Sequence, residues 1–173
     1  MNLFETKKSA IDTNIFEHLL NPQENVCGHI DILLQKMRDI GVIPIIDDRE
    51  RILAEYNDRT VPLFKNQRTD SSKRFLIQYW TKDCKKYRVS VEHSSELMKK
   101  IKKVLPQGEG TDAVFVFVVF RCGGALLTND RDDIIDEGSR RNARRTKLLR
   151  IKERDMNSEI LTSKEAFDAL PQE

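Results

Sequence analysis

Cysteine is scarce in this chain: Cys27, Cys84 and Cys122 are odd in number, widely spaced and include no C-x-x-C pair. That spacing excludes a zinc ribbon and argues against a disulfide framework, leaving the three as small apolar residues. No apolar run approaches the ~20 residues that a membrane span requires, so no membrane partner is expected. Residues 1–10 carry Lys7 and Lys8 with no apolar segment after them. A secretory signal is therefore not expected, and a cytoplasmic location is. Glycine-rich frameworks are missing too. There is no Walker loop, no G-x-G-x-x-G turn and no G-x-S-x-G elbow, so nucleotide-driven, dinucleotide and serine-hydrolase chemistries lack support. His18, His29 and His93 share no metal-ligand spacing, and none lies beside a candidate nucleophile. Charge of one sign is not in excess: 30 Lys and Arg stand against 28 Asp and Glu, for a net charge of +2. A uniformly basic coat is thereby excluded, and contact with nucleic acid requires charge segregated along the chain.

What the chain does have is charge of both signs, at 34% of residues, against roughly 25% in average soluble proteins. Apolar residues make up 39% of the 173 positions, enough for one sizeable core, so residues 1–173 read as one domain. Short strands alternate with helices. Residues 9–16 start apolar and are interrupted by Asp12 and Asn14, as a buried strand ending in polar residues would be. Ile30, Leu33, Leu34 and Met37 recur at helical spacing, and Gly41 stands where a glycine closes a helix. Residues 42–46 read as a strand whose Pro44 suggests an edge or a bulge. Asp47 or Asp48 can cap the next helix, with Ile52, Leu53 and Tyr56 on its inner face.

Between residues 61 and 90 the pattern weakens, and Phe75, Leu76, Ile77, Tyr79 and Trp80 suit a helix or a strand. Ser94 can cap a helix with Leu97, Ile101, Val104 and Leu105 as its apolar stripe. Residues 113–120 are rich in Val and Phe, as a strand would be. Thr111 as cap, Asp112 at the positive end and Gly123 at the close favour a buried helix instead. Residues 125–127 and 160–162 read as strands, and Ser163 can cap a last helix running to Leu170. The alternation predicts an α/β fold of three layers, α/β/α, around a mainly parallel sheet.

In parallel sheets, sites form beyond the carboxyl ends of the strands. That rule singles out Asp12 and Asp130, each following an apolar run in Ala10-Ile11-Asp12-Thr13-Asn14 and Leu126-Leu127-Thr128-Asn129-Asp130. Asp112 and Glu55 offer two further acids that a parallel sheet can bring to the same pocket. Carboxylates gathered this way repel one another unless a cation neutralises them. Oxygen ligands without a suitable His or Cys favour Mg²⁺ or Mn²⁺. An ion so held can activate water and stabilise charge on a phosphodiester. Each acid also has a purely structural use: an Asx turn for Asp12, a helix cap for Asp130, an offset to the positive helix end for Asp112. Glu55 can be an exposed helix glutamate, with Glu50 as the alternative facing the pocket.

In chain order, Ile11-Asp12-Thr13-Asn14, Leu53-Ala54-Glu55-Tyr56, Thr111-Asp112-Ala113 and Leu127-Thr128-Asn129-Asp130-Arg131-Asp132 resemble the successive motifs of the PIN-domain nucleases. These include the toxin ribonucleases of bacterial toxin–antitoxin pairs. The resemblance runs from about Ser9 to the C-terminus. It implies a PIN-like fold and Mg²⁺- or Mn²⁺-dependent hydrolysis of phosphodiester bonds by metal-activated water, in RNA or sometimes DNA, with RNA favoured. By position, the implied catalytic and metal-binding acids are Asp12, Glu55, Asp112 and Asp130, with Asp133 as an outer fifth ligand. Asn14 and Thr128 are implied to order them by hydrogen bonds. Residues 61–105 are longer than in minimal toxin members, and a basic helix over residues 138–154 looks like an insertion.

That helix holds eight basic residues against Glu153 alone. Spacing of three and four lets Arg140, Arg144 and Lys147 share one face. With Arg141 and Arg145 they are the expected nucleic-acid contacts, a stripe that tracks phosphates and binds in a salt-sensitive way. The same cations can pair with the acids just upstream or bind an antitoxin or regulatory protein; a homodimer is a further expectation. Between Lys73 and Arg88, cations interleave with Phe75, Tyr79, Trp80 and Tyr87, which suits base stacking but suits core packing better. Two rival functions stand beside the nuclease. One is a non-catalytic PIN-like module that binds protein or RNA. The other is a small-molecule phosphatase, which usually has a second acid close after its nucleophilic aspartate; Asp12-Thr13-Asn14 lacks one.

Overall fold

Five short strands pair in parallel throughout, in the order β3-β2-β1-β4-β5. They are β1 (Lys8–Ile11), β2 (Ile43–Asp47), β3 (Tyr87–Val89), β4 (Gly124–Leu127) and β5 (Ser158–Leu161). The structure, a computed structural model, describes residues 6–21, 27–66, 70–105, 110–130, 134, 143–151 and 157–170. Flanking the sheet are helices α1 (Thr13–Leu20), α2 (Cys27–Asp39), α3 (Arg51–Asn66), α4 (Ser71–Gln78), α5 (Glu96–Val104), α6 (Thr111–Cys122), α7 (Ala143–Ile151) and α8 (Ser163–Asp168). A π-helical turn, Tyr79–Asp83, follows α4. The chain leaves β1 for β2 and β3, then returns across the sheet to β4 and β5. The order therefore reverses between β1 and β4, and a crevice is expected beyond the carboxyl ends of those two strands.

Parallel strands are covered on both faces and read as continuous apolar runs. Accordingly, Ala10, Ile11, Ala125, Leu126 and Leu127 are all buried. Helix α6 lies across the whole sheet, touching every strand, and α3 and α5 pack against that helix. That position explains why residues 113–120 are apolar all round and buried throughout. The helix reading of this run holds, but its cap is Gly110, which makes no side-chain bond, rather than Thr111. Gly123, at φ +72°, closes it. Helix α2 ends in a Schellman arrangement around Gly41 (φ +78°): Val42 donates to the Met37 carbonyl and Gly41 to that of Arg38.

The structure departs from the sequence reading at several elements. Pro44 lies in an inner strand, neither at an edge nor in a bulge. Ile43 donates to the Lys7 carbonyl on the β1 side, so Pro44 turns its donor-less nitrogen the other way, and there β3 begins only at the level of Ile45. The apolar residues after Asp12 form α1 rather than a strand end. Of the two candidate caps before α3, Asp47 is buried and accepts from the Ile52 N–H (3.0 Å). Ser95 and Thr162, not Ser94 and Ser163, cap α5 and α8. Trp80 is a core residue, whereas Phe75 and Tyr87 are exposed. Cys84 and Cys122 are free, half-buried thiols. Among the described residues, no helix is long and apolar enough to cross a membrane.

Candidate metal centre

Asp12 follows β1 directly and caps α1. Its N–H donates to the Leu127 carbonyl of β4 (2.9 Å), and its Oδ1 caps α1 through the Asn14 N–H (3.4 Å). Tyr56 on α3 fixes the same strand end: its hydroxyl donates to the Ile11 carbonyl (2.5 Å), and its ring packs edge-on to Phe16. Asp12 is only 3% exposed. Its Oδ2 accepts from the Thr128 hydroxyl (2.7 Å) and from the Asn14 amide (2.9 Å). The Thr128 oxygen accepts in turn from Asn14 Nδ2 (3.2 Å) and from the Asp130 N–H (3.0 Å), while Asn14 Oδ1 accepts the Asn129 N–H (3.0 Å). The turns following β1 and β4 are thus laced together, and Thr128 sets Asp12 and Asp130 relative to each other.

Oδ1 of Asp12 is the less occupied oxygen. The Thr13 hydroxyl lies 3.2 Å from it but 2.8 Å from Glu55 Oε1. With one proton to donate, Thr13 serves the nearer acceptor. Only the long capping contact then remains at Oδ1, leaving lone-pair capacity for a further partner.

Asp112, in the first turn of α6, and Asp130 complete the group. One carboxylate oxygen from each of Asp12, Asp112 and Asp130 lies within 4.8 Å of the others. Oxygens held ~2.1 Å from an Mg²⁺ are at most ~4.2 Å apart across it, so the separation is close to the span of one ion. A donor set made of carboxylates suits Mg²⁺ or Mn²⁺ better than softer metals. The Asp12 carboxyl is pushed up to about 7, from 3.8. Burial is the main cause; hydrogen bonds from Thr128 and Asn14 oppose it, and the charges of Asp112 and Glu55 add to it. A cation entering this group displaces the proton and relieves the repulsion.

Glu55 stands outside the three-oxygen group and joins it through Thr13. With Asp58 and Asp112 it lines a cleft of about 680 Å³. Glu50 has φ +59° and pairs instead with Arg88 (2.8 Å) at the exposed surface. Of the two glutamates, Glu55 is therefore the one beside the site. Asp133, Arg140 and Arg141 lie outside the described residues. On α7, Arg144 is half-buried and Lys147 exposed. The Arg145 side chain, 15% exposed, holds Glu165 at 2.9 Å, and Glu165 closes the capping box of α8. Arg145 thus ties α7 to α8.

Several contributors escape a reading of the sequence. Arg51, Arg59, His93 and Lys102 line the same cleft as the acids. They come from α3, from the segment before α5 and from α5 itself, so nothing local to the sequence brings them together. Arg51 is held by Asp47 (2.9 Å) and meets His93. The Asn129 side chain bonds Ser163 Oγ (2.9 Å), the Ser163 N–H (2.9 Å) and His18 Nδ1 (3.0 Å), clamping the turn after β4 onto α8 and α1. Its place in the polar cluster after an apolar strand was the available signal.

The chain matches no family model, no curated protein and no solved structure. Its class therefore rests on fold and site. It is an α/β protein with an all-parallel five-stranded sheet, flanked by helices, that gathers an aspartate triad able to hold a divalent metal.

Proposed function

We propose that this chain is a divalent-metal-dependent nuclease of the PIN-like kind, hydrolysing phosphodiester bonds in RNA in preference to DNA. The observation that carries the reading is the meeting of residues 12, 112 and 130 within 4.8 Å at the point where the strand order reverses. The order of the acidic motifs along the chain supports nuclease chemistry in particular. When bound, Mg²⁺ or Mn²⁺ supplies a Lewis acid for a phosphoryl oxygen and a lowered pKa for an attacking water. Asp12, Asp112 and Asp130 would hold the ion. Thr128 and Asn14 orient the Asp12 carboxylate, and Thr13 orients that of Glu55, which would accept a proton from water in the cleft. Arg51, Arg59 and Lys102 offset the acids along the cleft and favour a polyanionic substrate. No protein nucleophile is required. Lys147, exposed on α7, would add a cation for a phosphate backbone.

The test is Asp12→Asn in a clean preparation. Mn²⁺-dependent cleavage of single-stranded RNA is expected to fall ~100-fold or more; cleavage at the wild-type rate overturns the reading. Calorimetry on the same pair separates the rival. Wild type is expected to bind Mn²⁺ and the variant not to, whereas RNA binding without any Mn²⁺ binding identifies a non-catalytic module. DNA of the same sequence, assayed alongside, tests the preference for RNA.

A further inference from the structure

A second cleft, of about 480 Å³, is lined by Leu53, Asn57, Thr81, Lys82, Cys84, Lys86 and Arg88. Its chemistry differs from that of the first. Three acids offset the cations of the metal-side cleft, but no carboxylate lines this one among the described residues. Arg88 pairs with Glu50, and Lys86 donates to the Cys84 carbonyl (3.0 Å); among the described residues neither Lys82 nor Lys86 has a carboxylate partner. Two ammonium groups that line one hollow without a carboxylate partner repel one another, and an anion between them removes that cost. Asn57 adds a neutral polar group suited to phosphate oxygens.

The backbone that builds this cleft is itself unusual. Thr81 and Lys82 sit in the π-helical turn Tyr79–Asp83, which closes through a bond from the Cys84 N–H to the Tyr79 carbonyl (3.0 Å). Such turns are rare and recur at functional sites. This one is anchored by the fully buried Trp80, packed edge-on to Tyr79. The widened turn presents Thr81 and Lys82 to the same hollow as Lys86 and Arg88.

Helix α3 separates the two clefts. Ala54, Glu55 and Asp58 face the metal side, while Leu53 and Asn57, about a third of a turn round the helix, face the second hollow. A helix with its side chains is about 10–12 Å across, a width that a strand of a few nucleotides can span. We propose that the second cleft is a phosphate-binding site for the backbone of the same single strand whose reacting phosphate lies at the aspartates. It makes the substrate a polynucleotide rather than a mononucleotide or a small phosphate ester. This inference rests on the nuclease reading for its ligand, and its test does not depend on cleavage.

The test measures binding by the full chain in EDTA, where no turnover occurs. The probes are a labelled single-stranded RNA oligonucleotide, the dinucleotide and inorganic phosphate, and Lys82→Gln/Lys86→Gln is compared with wild type. Lys82 is exposed and Lys86 half-buried, and a thermal melt checks folding. The double variant is expected to weaken the oligonucleotide ~5-fold and to lower the salt slope of its binding by ~1, leaving the dinucleotide unchanged. Equal oligonucleotide affinity and slope in both proteins overturns the proposal. So does loss of inorganic-phosphate binding with oligonucleotide binding intact, which marks a site for a free anion. Loss of cleavage in Asp12→Asn with no effect of the lysine pair sinks this inference alone; the lysine effect with cleavage unaltered in Asp12→Asn sinks the nuclease reading alone.

Discussion

Asp12 is held in its folded surroundings with a pKa of about 7, against 3.8 for an ordinary aspartate. Between those two values the folded chain keeps a proton that the unfolded chain has lost. The sign follows from linkage: stability is greatest below 3.8 and falls as pH rises through the window to about 7. His29 and His93, whose pKa values are lowered chiefly by burial, act oppositely below 6.5, because the folded chain keeps them neutral. Comparing wild type with Asp12→Asn cancels their contribution. In chelator, the stability of the variant relative to wild type is expected to grow by about 2–3 kcal/mol between pH 5 and pH 8. Denaturant titrations at the two pH values measure this, and a difference independent of pH contradicts it. The residue thought central to activity would then be one that costs stability, as functional sites commonly do.

Gly124 shows what a single element tolerates. It opens β4 at φ +128°, and a Cβ there would stand 2.7 Å from the Lys8 carbonyl oxygen and 3.1 Å from Ile45 Cδ1. Backbone strain and a clash with the neighbouring strand act together, so Gly124→Ala is expected to destabilise by about 3 kcal/mol. Gly28, exposed in α2 with nothing within 4 Å, is the control: alanine there is expected to be neutral or stabilising by about 1 kcal/mol. Thermal melts of the two variants decide between them. The strand reading of residues 125–127 came from a local apolar run, but the crowding at Gly124 arises from β1 and β2 and has no local signature. The same division holds elsewhere. Helix α6 was legible because Asp112 and Gly123 mark its ends even though its interior favours a strand. Pro44 misled because its effect depends on how far the neighbouring strand extends. The π turn at Tyr79–Asp83 has no periodicity of its own, so residues 61–90 stayed ambiguous until packing decided them.

On the scale of the whole molecule, a charge of +2 conceals opposed local sums. Asp12 and Asp130 could be read from the sequence because each follows an apolar strand, and strand ends in a parallel sheet converge. The cations beside them could not, because α3 and α5 meet at the cleft only after folding. The aspartates come from the cap between β1 and α1, the first turn of α6 and the turn after β4, so an ion bound by all three joins segments about 100 residues apart in sequence. Such an ion binds the folded chain and not the unfolded one, and at 100 times its dissociation constant it stabilises by ~2.7 kcal/mol. Protons compete for the same oxygens. With Asp12 at about 7, roughly nine in ten molecules are protonated there at pH 6 and one in ten at pH 8, so apparent affinity falls ~10-fold at the lower pH. Mn²⁺ is therefore expected to raise the melting temperature more at pH 8 than at pH 6, by an increment worth ~1.4 kcal/mol at saturating metal. Asp12→Asn should abolish the dependence on both metal and pH, while Lys147→Gln should leave it intact. A Mn²⁺ shift equal at the two pH values would place the ion away from Asp12 and dissolve the link between the buried aspartate and the metal.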